Sequence, residues 1–421
     1  MFRFIHAADI HLDSPLKGLE LPEDAPLDES RASSRRALEN MVDLAVREEV
    51  AFVLIAGDLY DGEWRDFQTS LFFNQCMVKL RDAGIRVFVI SGNHDAANQN
   101  TRTLQLPDNV HMFSSRKAET VTVDNINVAV HGQSFANRAV SDNLSLNYPN
   151  AKSGHFNIGL LHTALSGREG HEPYAPCSVD DLRAKGYQYW ALGHVHNREE
   201  VHNDPWIVFS GNIQGRHIRE TGAKGCTMVT VDGNQVSDVE HIDLDVLRWS
   251  LYEVDLKDCL NTDEVCDRVQ RVCERALTDG DGRPVIVRLE LKGTTPSHQK
   301  LHAQSSYWTE EFRAIAANLG GAGVWLEKVK LRTREHTDPE SLIQGDTPIG
   351  MLLTNLKDLA IDVDKLADLD TEMTTFLNKL PSEIRGGDDP FDPTDPGQWD
   401  EIISDVKDLL VARLLSEGQV K

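Results

Sequence analysis

The sequence predicts a layered α/β protein with a small α+β module and a helical C-terminal segment. Three observations predict it. Short apolar runs alternate with helical patterns over residues 1–245. Five of those runs end in clusters of Asp, His, Asn and Gly. The alternation changes character near Asp245 and stops near Glu340. Strands alternating with helices in this way build a sheet covered by helices.

Taken in order, Phe2–Ala8, Val50–Ala56, Arg86–Ser91, Asn127–His131, Asn157–Leu161 and Tyr189–Leu192 are predicted strands. Each is a short apolar run that ends at or just before Gly, Ser, His or Asp. Arg31–Glu48 and Phe67–Asp82 between them carry the helical period. Trp206–Phe209, Gly225–Val231 and Ser237–Ile242 read as further strands. Arg248–Asp255, Val285–Leu291 and Val324–Arg332 are the predicted strands of the module, with helices over Thr262–Leu277 and Tyr307–Leu319. Beyond Glu340 no strand pattern remains, Arg385–Gly397 reads as a Pro/Gly/Asp linker, and Trp399, Ile402, Ile403, Val406, Leu409, Leu410 and Leu414 recur at helical spacing. The expected domains are therefore 1–245, 246–338 and 339–421.

Composition narrows the function. The 421 residues carry 43 Lys and Arg against 67 Asp and Glu, a net charge of −24. That balance argues against coating nucleic acid by charge alone, although metal ions can neutralise an acidic site. Nearly half of the excess sits in residues 340–421, which hold 18 acidic and 7 basic side chains. The six cysteines form no CxxC pair and are too sparse for a disulfide framework, which fits a reduced, cytoplasmic setting. The N-terminus MFRFIHAADIHLD lacks the pattern of a signal peptide, and no apolar run is long enough to span a membrane.

The chemistry lies at the strand ends. Asp9 and His11 follow the first strand, Asp58 the second, and Asn93, His94 and Asp95 the third. His162 closes a later strand, and His194 and His196 follow the next. Ligands of open α/β sheets gather at the carboxyl ends of strands, so these groups can converge. Residues i and i+2 of an extended chain share a side, which predicts that Asp9 faces with His11 and His194 with His196. Imidazole and carboxylate together favour Mn, Fe or Zn, and two such ions can hold both oxygens of a phosphoryl transfer, with Asp58 as the natural bridge. Any one of these segments alone reads equally as a capped strand end, and only their joint occurrence carries weight.

In this order DxH, GD, GNHD, His and GHxH resemble the calcineurin-like metallophosphoesterase superfamily. The segments HAADIHLDSPLKGL, AGDLYDGE, SGNHD, LLHTALSG and LGHVHNREEV are most similar to its bacterial SbcD-like and YhaO-like DNA double-strand-break repair nucleases. FSGNIQGRHIRETGAKGC adds to that likeness. The resemblance implies a four-layer sandwich of two mixed sheets flanked by helices, with residues 246–338 as a DNA-binding capping domain. It implies that Asp9, His11, Asp58 and His196 hold one metal, and Asp58, Asn93, His162 and His194 the second; two Mn²⁺ are expected, with Fe or Zn as the alternatives. His94 would contact the scissile phosphate or protonate the leaving oxygen, and Asp95 would orient His94. The position three past Asp58 is Asp61, where archaeal and eukaryotic members have His. GDLYDGE and GNHD also differ from the GDxVDRG and GNHE of Ser/Thr protein phosphatases, which disfavours phosphoprotein hydrolysis.

The implied activity is metal-dependent DNA hydrolysis, as a 3′–5′ exonuclease, a single-strand endonuclease or both. Two other readings remain open: a phosphodiesterase for small or cyclic nucleotides, and a non-catalytic DNA-end scaffold that regulates an SbcC-like ATPase. Arg216, His217 and Arg219 are the candidate DNA contacts, against a solvated surface as the plain alternative. His6, His131, Cys266 and Cys273 are expected to be packing residues. The resemblance further implies that the C-terminal helices meet a coiled-coil SbcC-like ATPase, and that the chain forms a homodimer.

Overall fold

Apolar runs that end at the chemical motifs become neighbouring strands in the computed structural model of the chain. It describes residues 1–14, 16, 32–61, 67–97, 105–165, 174–320, 323–335 and 406. The elements in order are β1 (Phe2–Ala7), α1 (Ser33–Arg47), β2 (Phe52–Ala56), α2 (Phe67–Asp82), β3 (Arg86–Ile90) and α3 (Asn93–Ala97). Then come β4 (Val110–Met112), β5 (Glu119–Val123), β6 (Val128–Gly132), β7 (Phe156–His162), α4 (Val179–Arg183), β8 (Tyr189–Gly193), β9 (Glu199–Asn203), β10 (Trp206–Phe209), β11 (Gly225–Asp232) and β12 (Gln235–Asp243).

Two mixed sheets result. The first has the order β12-β11-β1-β2-β3-β4, with β1 to β4 parallel and β11 and β12 antiparallel. The second has the order β5-β6-β7-β8-β10-β9, again with four parallel strands and antiparallel strands at both edges. Alternation assigns the faces. Phe4, Phe52, Phe88, Phe156, Ile158, Leu160 and Tyr189 fill the space between the sheets. On the other face of the first sheet, Ile5, Val53, Ile55 and Val87 meet Leu38, Met41 and Val42 of α1 and Phe73 and Met77 of α2. Leu161, Trp190, Leu192 and Phe209 cover the outer face of the second sheet with Leu182 of α4. Strands buried on both faces need continuous apolar runs, which is what made them visible in the sequence. This is the expected sandwich of two mixed sheets flanked by helices.

Phe4 is fully buried and stacks on Phe52 at 5.0 Å between ring centroids, with Tyr189 edge-on at 5.3 Å. Phe4→Ala is expected to destabilise the protein by about 3–5 kcal/mol, because the cavity lies between two sheets that cannot collapse onto it. Denaturant unfolding measures this, and a loss below about 1 kcal/mol would contradict the packing described.

Several elements were not expected. β4, β5 and β9 are three to five residues long and mostly half-exposed, and β9 carries two glutamates at a sheet edge. Short, charged edge strands resist further pairing but give little hydrophobic signal. Compact units divide at Arg248 and Trp249, and His217–Thr221 clusters with the second unit.

The second unit contains β13 (Arg248–Asp255, entered from the first), α5 (Thr262–Asp279), β14 (Val285–Thr295), α6 (His298–Ala303), α7 (Ser305–Ala317) and β15 (Val324–Glu335). Its sheet has the order β13-β14-β15, and β14 and β15 run parallel. Asn261 caps α5 by accepting the Glu264 N–H. Val265, Val269 and Cys273 of α5 and Trp308 and Phe312 of α7 pack on Val287, Leu289 and Leu291 of β14. Cys273 is thus a core residue, and Cys266 packs partly buried against the same cluster. Of the helical segment expected over 339–421, Val406 is helical, and the rest lies outside the described residues. Among the described residues no helix is long and apolar enough to cross a membrane.

Candidate metal centre

The strand ends meet through backbone geometry unlike that expected. β1 stops at Ala7 and β8 at Gly193, so neither Asp9 and His11 nor His194 and His196 lie on extended strand. Asp9, His11, Asp58 and His194 have φ of 49°, 43°, 50° and 102°. Positive φ is strained for residues other than Gly, at about 1–3 kcal/mol each, and such strain gathers at functional sites. Tethers hold it in place. The Asp9 and His11 N–H groups donate to the Gly57 and Asp58 carbonyls at 3.0 Å each, and Leu12 N–H donates to Leu59 O at 2.9 Å. The DxH loop is therefore laid against the end of β2 by hydrogen bonds, and strand alternation does not aim its side chains. A glycine lets the two sheets approach here, since a Cβ at Gly193 would lie 2.0 Å from Ala56 O.

Seven predicted ligands converge. Asp9, His11 and His196 offer ligand atoms within 4.8 Å of one another, and so do Asp58, His162 and His194. His11 Nε2 lies 3.3 Å from His196 Nε2 and 3.9 Å from Asp58 Oδ2. On the other side of Asp58, His162 Nε2 lies 3.5 Å from its Oδ2 and 2.9 Å from Asn93 Oδ1. Asp58 thus stands between the two groups. Both Asp9 oxygens accept the His194 N–H, at 3.0 and 3.1 Å, and Asp58 Oδ1 accepts the His94 N–H at 2.9 Å.

The donor set fits divalent cations. His162 Nδ1 donates its proton to Ala56 O at 2.9 Å, which leaves the Nε2 lone pair directed at Asn93 Oδ1 and Asp58 Oδ2. Three acceptors facing one space are mutually repulsive until a cation lies among them. Burial lowers His162 to about 4 and holds His11 well below the usual histidine range, assisted at His11 by the charge of Arg216. Both rings are therefore neutral at pH 7, the form that ligates metal. Burial raises the Asp58 carboxyl, and a bound dication would reverse that by favouring the carboxylate.

His94 lies beside this cage, half-buried, with its ring edge-on to His11 at 4.9 Å. Its orienting acid is Asp61 and not the expected Asp95. His94 Nδ1 is 2.9 Å from Asp61 Oδ1, and Asp61 Oδ2 accepts the Ser14 hydroxyl at 2.7 Å. Burial alone would lower His94, but the hydrogen bond to Asp61 and the charges of Asp58 and Asp61 outweigh it and raise the imidazole. Asp61 shifts the other way. Burial opposes its ionisation, yet the His94 hydrogen bond, the Arg216 charge and Ser14 hold it below the ordinary carboxylate range.

Asp95 faces elsewhere because adjacent residues of a helix, here α3, point in different directions. Its carboxylate accepts N–H groups from Leu59 and Gly92 at 3.1 and 3.0 Å and from Tyr60 at 2.8 Å, which ties the GD and GNHD loops together. Burial and the charge of Asp58 raise Asp95 to about 6 against those three bonds.

The candidate DNA contacts separate. Arg216 Nη2 lies 3.3 Å from His196 Nδ1, at the metal cage. His217 and Arg219 cluster with the second unit, where His217 pairs with Glu220 at 3.4 Å. His6 and His131 are packing residues as expected. His6 bonds the Tyr189 hydroxyl and Leu192 O, and His131 bonds Thr120 and Asn157. Sequence reasoning missed the roles of Asp61 and Ser14. The signal available was the second acid of GDLYD, whose partner lies 33 positions away at His94.

Residues 2–198 match the family model for calcineurin-like phosphoesterases, and residues 249–334 match the middle domain of metallophosphoesterase YhaO. The chain is 41% identical over 300 residues to metallophosphoesterase YhaO of Bacillus subtilis, which covers 70% of this chain and 72% of the relative. It is 25% identical over 303 residues to the DNA double-strand break repair protein Mre11 of Sulfurisphaera tokodaii, covering 68% of this chain and 72% of that one. Mre11 of Methanocaldococcus jannaschii is 24% identical over 294 residues, covering 66% and 75%. With a cage of Asp, His and Asn donors at the strand ends and these likenesses together, the chain belongs to the calcineurin-like metallophosphoesterase family, as a YhaO-like member and a hydrolase of phosphoesters.

Proposed function

We propose that this phosphoesterase is a metal-dependent DNA nuclease. The observation that carries the reading is the His94–Asp61 pair beside a ligand cage shared through Asp58. Cleavage of a DNA backbone expels an alkoxide, a poor leaving group that needs a proton. Two relatives named as DNA double-strand break repair proteins support DNA as the substrate, and their alignments of about 300 residues are longer than the phosphoesterase domain alone.

Asp9, His11, Asp58 and His196 would hold one cation, and Asp58, Asn93, His162 and His194 the other. Mn²⁺ suits this mixed imidazole, carboxylate and amide set, with Fe or Zn as alternatives. When bound, the two ions supply Lewis acidity, activating water and neutralising charge on the phosphate. The remaining chemistry belongs to side chains. Asp61 holds Nδ1 of His94, so the proton on Nε2 is the one available to the leaving 3′ oxygen. The raised imidazole keeps a larger share of that proton at neutral pH than a free histidine would. Arg216, at the cage, offers a guanidinium to a non-bridging phosphate oxygen. Asp95 keeps the two loops in register so that Asp58 and Asn93 stay in place.

Free cysteines at all six positions fit a reducing compartment such as the cytoplasm. A coiled-coil SbcC-like ATPase and a second copy of this chain are proposed partners on the sequence resemblance. Purified full-length protein with Mn²⁺ is expected to degrade linear DNA, and EDTA to abolish the activity. DNA left intact while bis-p-nitrophenyl phosphate is hydrolysed would overturn the DNA reading and favour a small phosphodiester.

A further inference from the structure

A cavity of about 660 Å³ opens at the end of the phosphoesterase unit that the metal cage does not occupy. Strand directions place it. β8 and β10 are parallel, with Trp206 opposite Tyr189 at their amino ends, and residues just before both strands line the cavity, Gln188, Asn203 and Asp204 among them. Another wall is the β11–β12 turn, which lies beside the start of β1 because Phe2 pairs with Val231. The candidate metal ligands follow the carboxyl ends of β1 and β8. The length of β8, about 16 Å at about 3.3 Å per residue, therefore separates the cavity from the cage.

Its floor is apolar. Trp206 of the second sheet and Val236 of the first both pack on the core between the sheets, yet each stays half-buried where it lines the cavity. The rest is polar and largely uncharged, with amide side chains from Gln188, Asn203, Asn234 and Gln235. Turn chemistry accounts for Asn234, which follows Gly233 at a φ of 61°, but not for an indole and three further amides around one space. The Gln188 oxygen accepts the Asn157 N–H at 2.7 Å, so its NH2 is what it offers the cavity. Tyr187 is fixed as a wall by stacking on His131 at 4.3 Å and by donating its hydroxyl to Pro149 O at 2.5 Å. Arg183 pairs with Asp180 at 3.2 Å, and Asp204 adds a carboxylate. These charges do not favour a phosphate.

We propose that this cavity binds a nucleoside, with its base stacked on Trp206 and the polar edge of the base met by the amides. An amide places a donor beside an acceptor, which is the pattern of a base edge, adenine above all. An aromatic face stacks on any base. The Asp204 carboxylate is the acceptor for the ribose hydroxyls, the role an acid plays in dinucleotide sites. Small-ligand sites span about 300–1,000 Å³, and this cavity falls inside that range. The proposal does not depend on the DNA-nuclease reading, because the cavity and the cage lie at opposite ends of the strands.

Equilibrium dialysis of radiolabelled adenosine against the full-length protein with Mn²⁺ tests it. One saturable site per chain is expected. Trp206→Leu keeps an apolar side chain on the core and is expected to weaken binding by about 5- to 150-fold. Asp204→Asn is expected to weaken adenosine binding by about tenfold or more and to leave 2′,3′-dideoxyadenosine binding unchanged. Both variants should hydrolyse bis-p-nitrophenyl phosphate at the unaltered rate, which separates a lost contact from damaged structure. Absence of saturable adenosine binding by the unaltered chain, or binding that neither substitution weakens, would overturn the site and leave the nuclease reading standing. Displacement of adenosine by an equal concentration of methyl glucoside would overturn the nucleoside assignment in favour of a saccharide.

Discussion

Asp58→Ala is expected to lower hydrolysis of every phosphoester by at least about a thousandfold, equivalent to about 4 kcal/mol of transition-state stabilisation. The carboxylate lies between the two groups of ligand atoms, 3.9 Å from His11 Nε2 and 3.5 Å from His162 Nε2. No other side chain named here serves both. Its other oxygen accepts the His94 N–H, so the same substitution frees the start of α3. Loss extends to good and poor leaving groups alike, because the defect lies in holding the ions. Steady-state turnover of linear DNA and of bis-p-nitrophenyl phosphate checks it, with metal content measured on the same preparations. Unchanged turnover of both substrates would show that the cage is not the reactive centre.

His94→Ala is expected to behave differently, and the difference identifies its role. A general acid contributes about 10²- to 10⁴-fold when the leaving group needs a proton. Expulsion of a 3′ alkoxide does, and expulsion of p-nitrophenolate does not. DNA hydrolysis should therefore fall by about 10²- to 10⁴-fold, while bis-p-nitrophenyl phosphate loses far less. Asp61→Asn should reproduce part of this selective loss. It removes one of the two negative charges that raise His94 and leaves a neutral amide oxygen as the acceptor for Nδ1. The linkage has a definite sign. A raised imidazole stabilises the fold fully below about pH 6.5 and loses that contribution as pH rises through its folded value. NMR titration of metal-free protein should place His94 above its ordinary value and lower it in Asp61→Asn. Equal loss on both substrates would remove His94 from the proton-transfer role.

Legibility in the sequence followed burial. β2, β3, β8 and β10 are apolar on both faces and show as nearly continuous runs, β1 and β7 show as buried runs broken by Arg3 and His6 and by Asn157 and Gly159, and the motifs at their ends declare the ligands. The half-exposed edges β4, β5 and β9 carry too few buried residues to show. How the ligands are aimed was also hidden. Extended geometry was the simplest way to turn Asp9 and His11 to one side, but their left-handed backbone depends on hydrogen bonds to Gly57 and Asp58 nearly fifty residues away. The same holds for the acid beside His94. Asp95 is adjacent in sequence, yet a helical turn directs it to the amides of Leu59, Tyr60 and Gly92. Asp61 reaches the ring only because β2 and β3 are parallel neighbours whose carboxyl ends coincide. Pairwise contacts between strand ends are a property of sheet order, which apolar periodicity does not encode.

Anomalous diffraction from crystals of the full-length protein grown with Mn²⁺ tests the paired-cation cage most directly. The account predicts two peaks about 3.5–4 Å apart. Asp58 should lie between them, with Asp9, His11 and His196 around one and Asn93, His162 and His194 around the other. A single peak, or peaks away from these side chains, would contradict it.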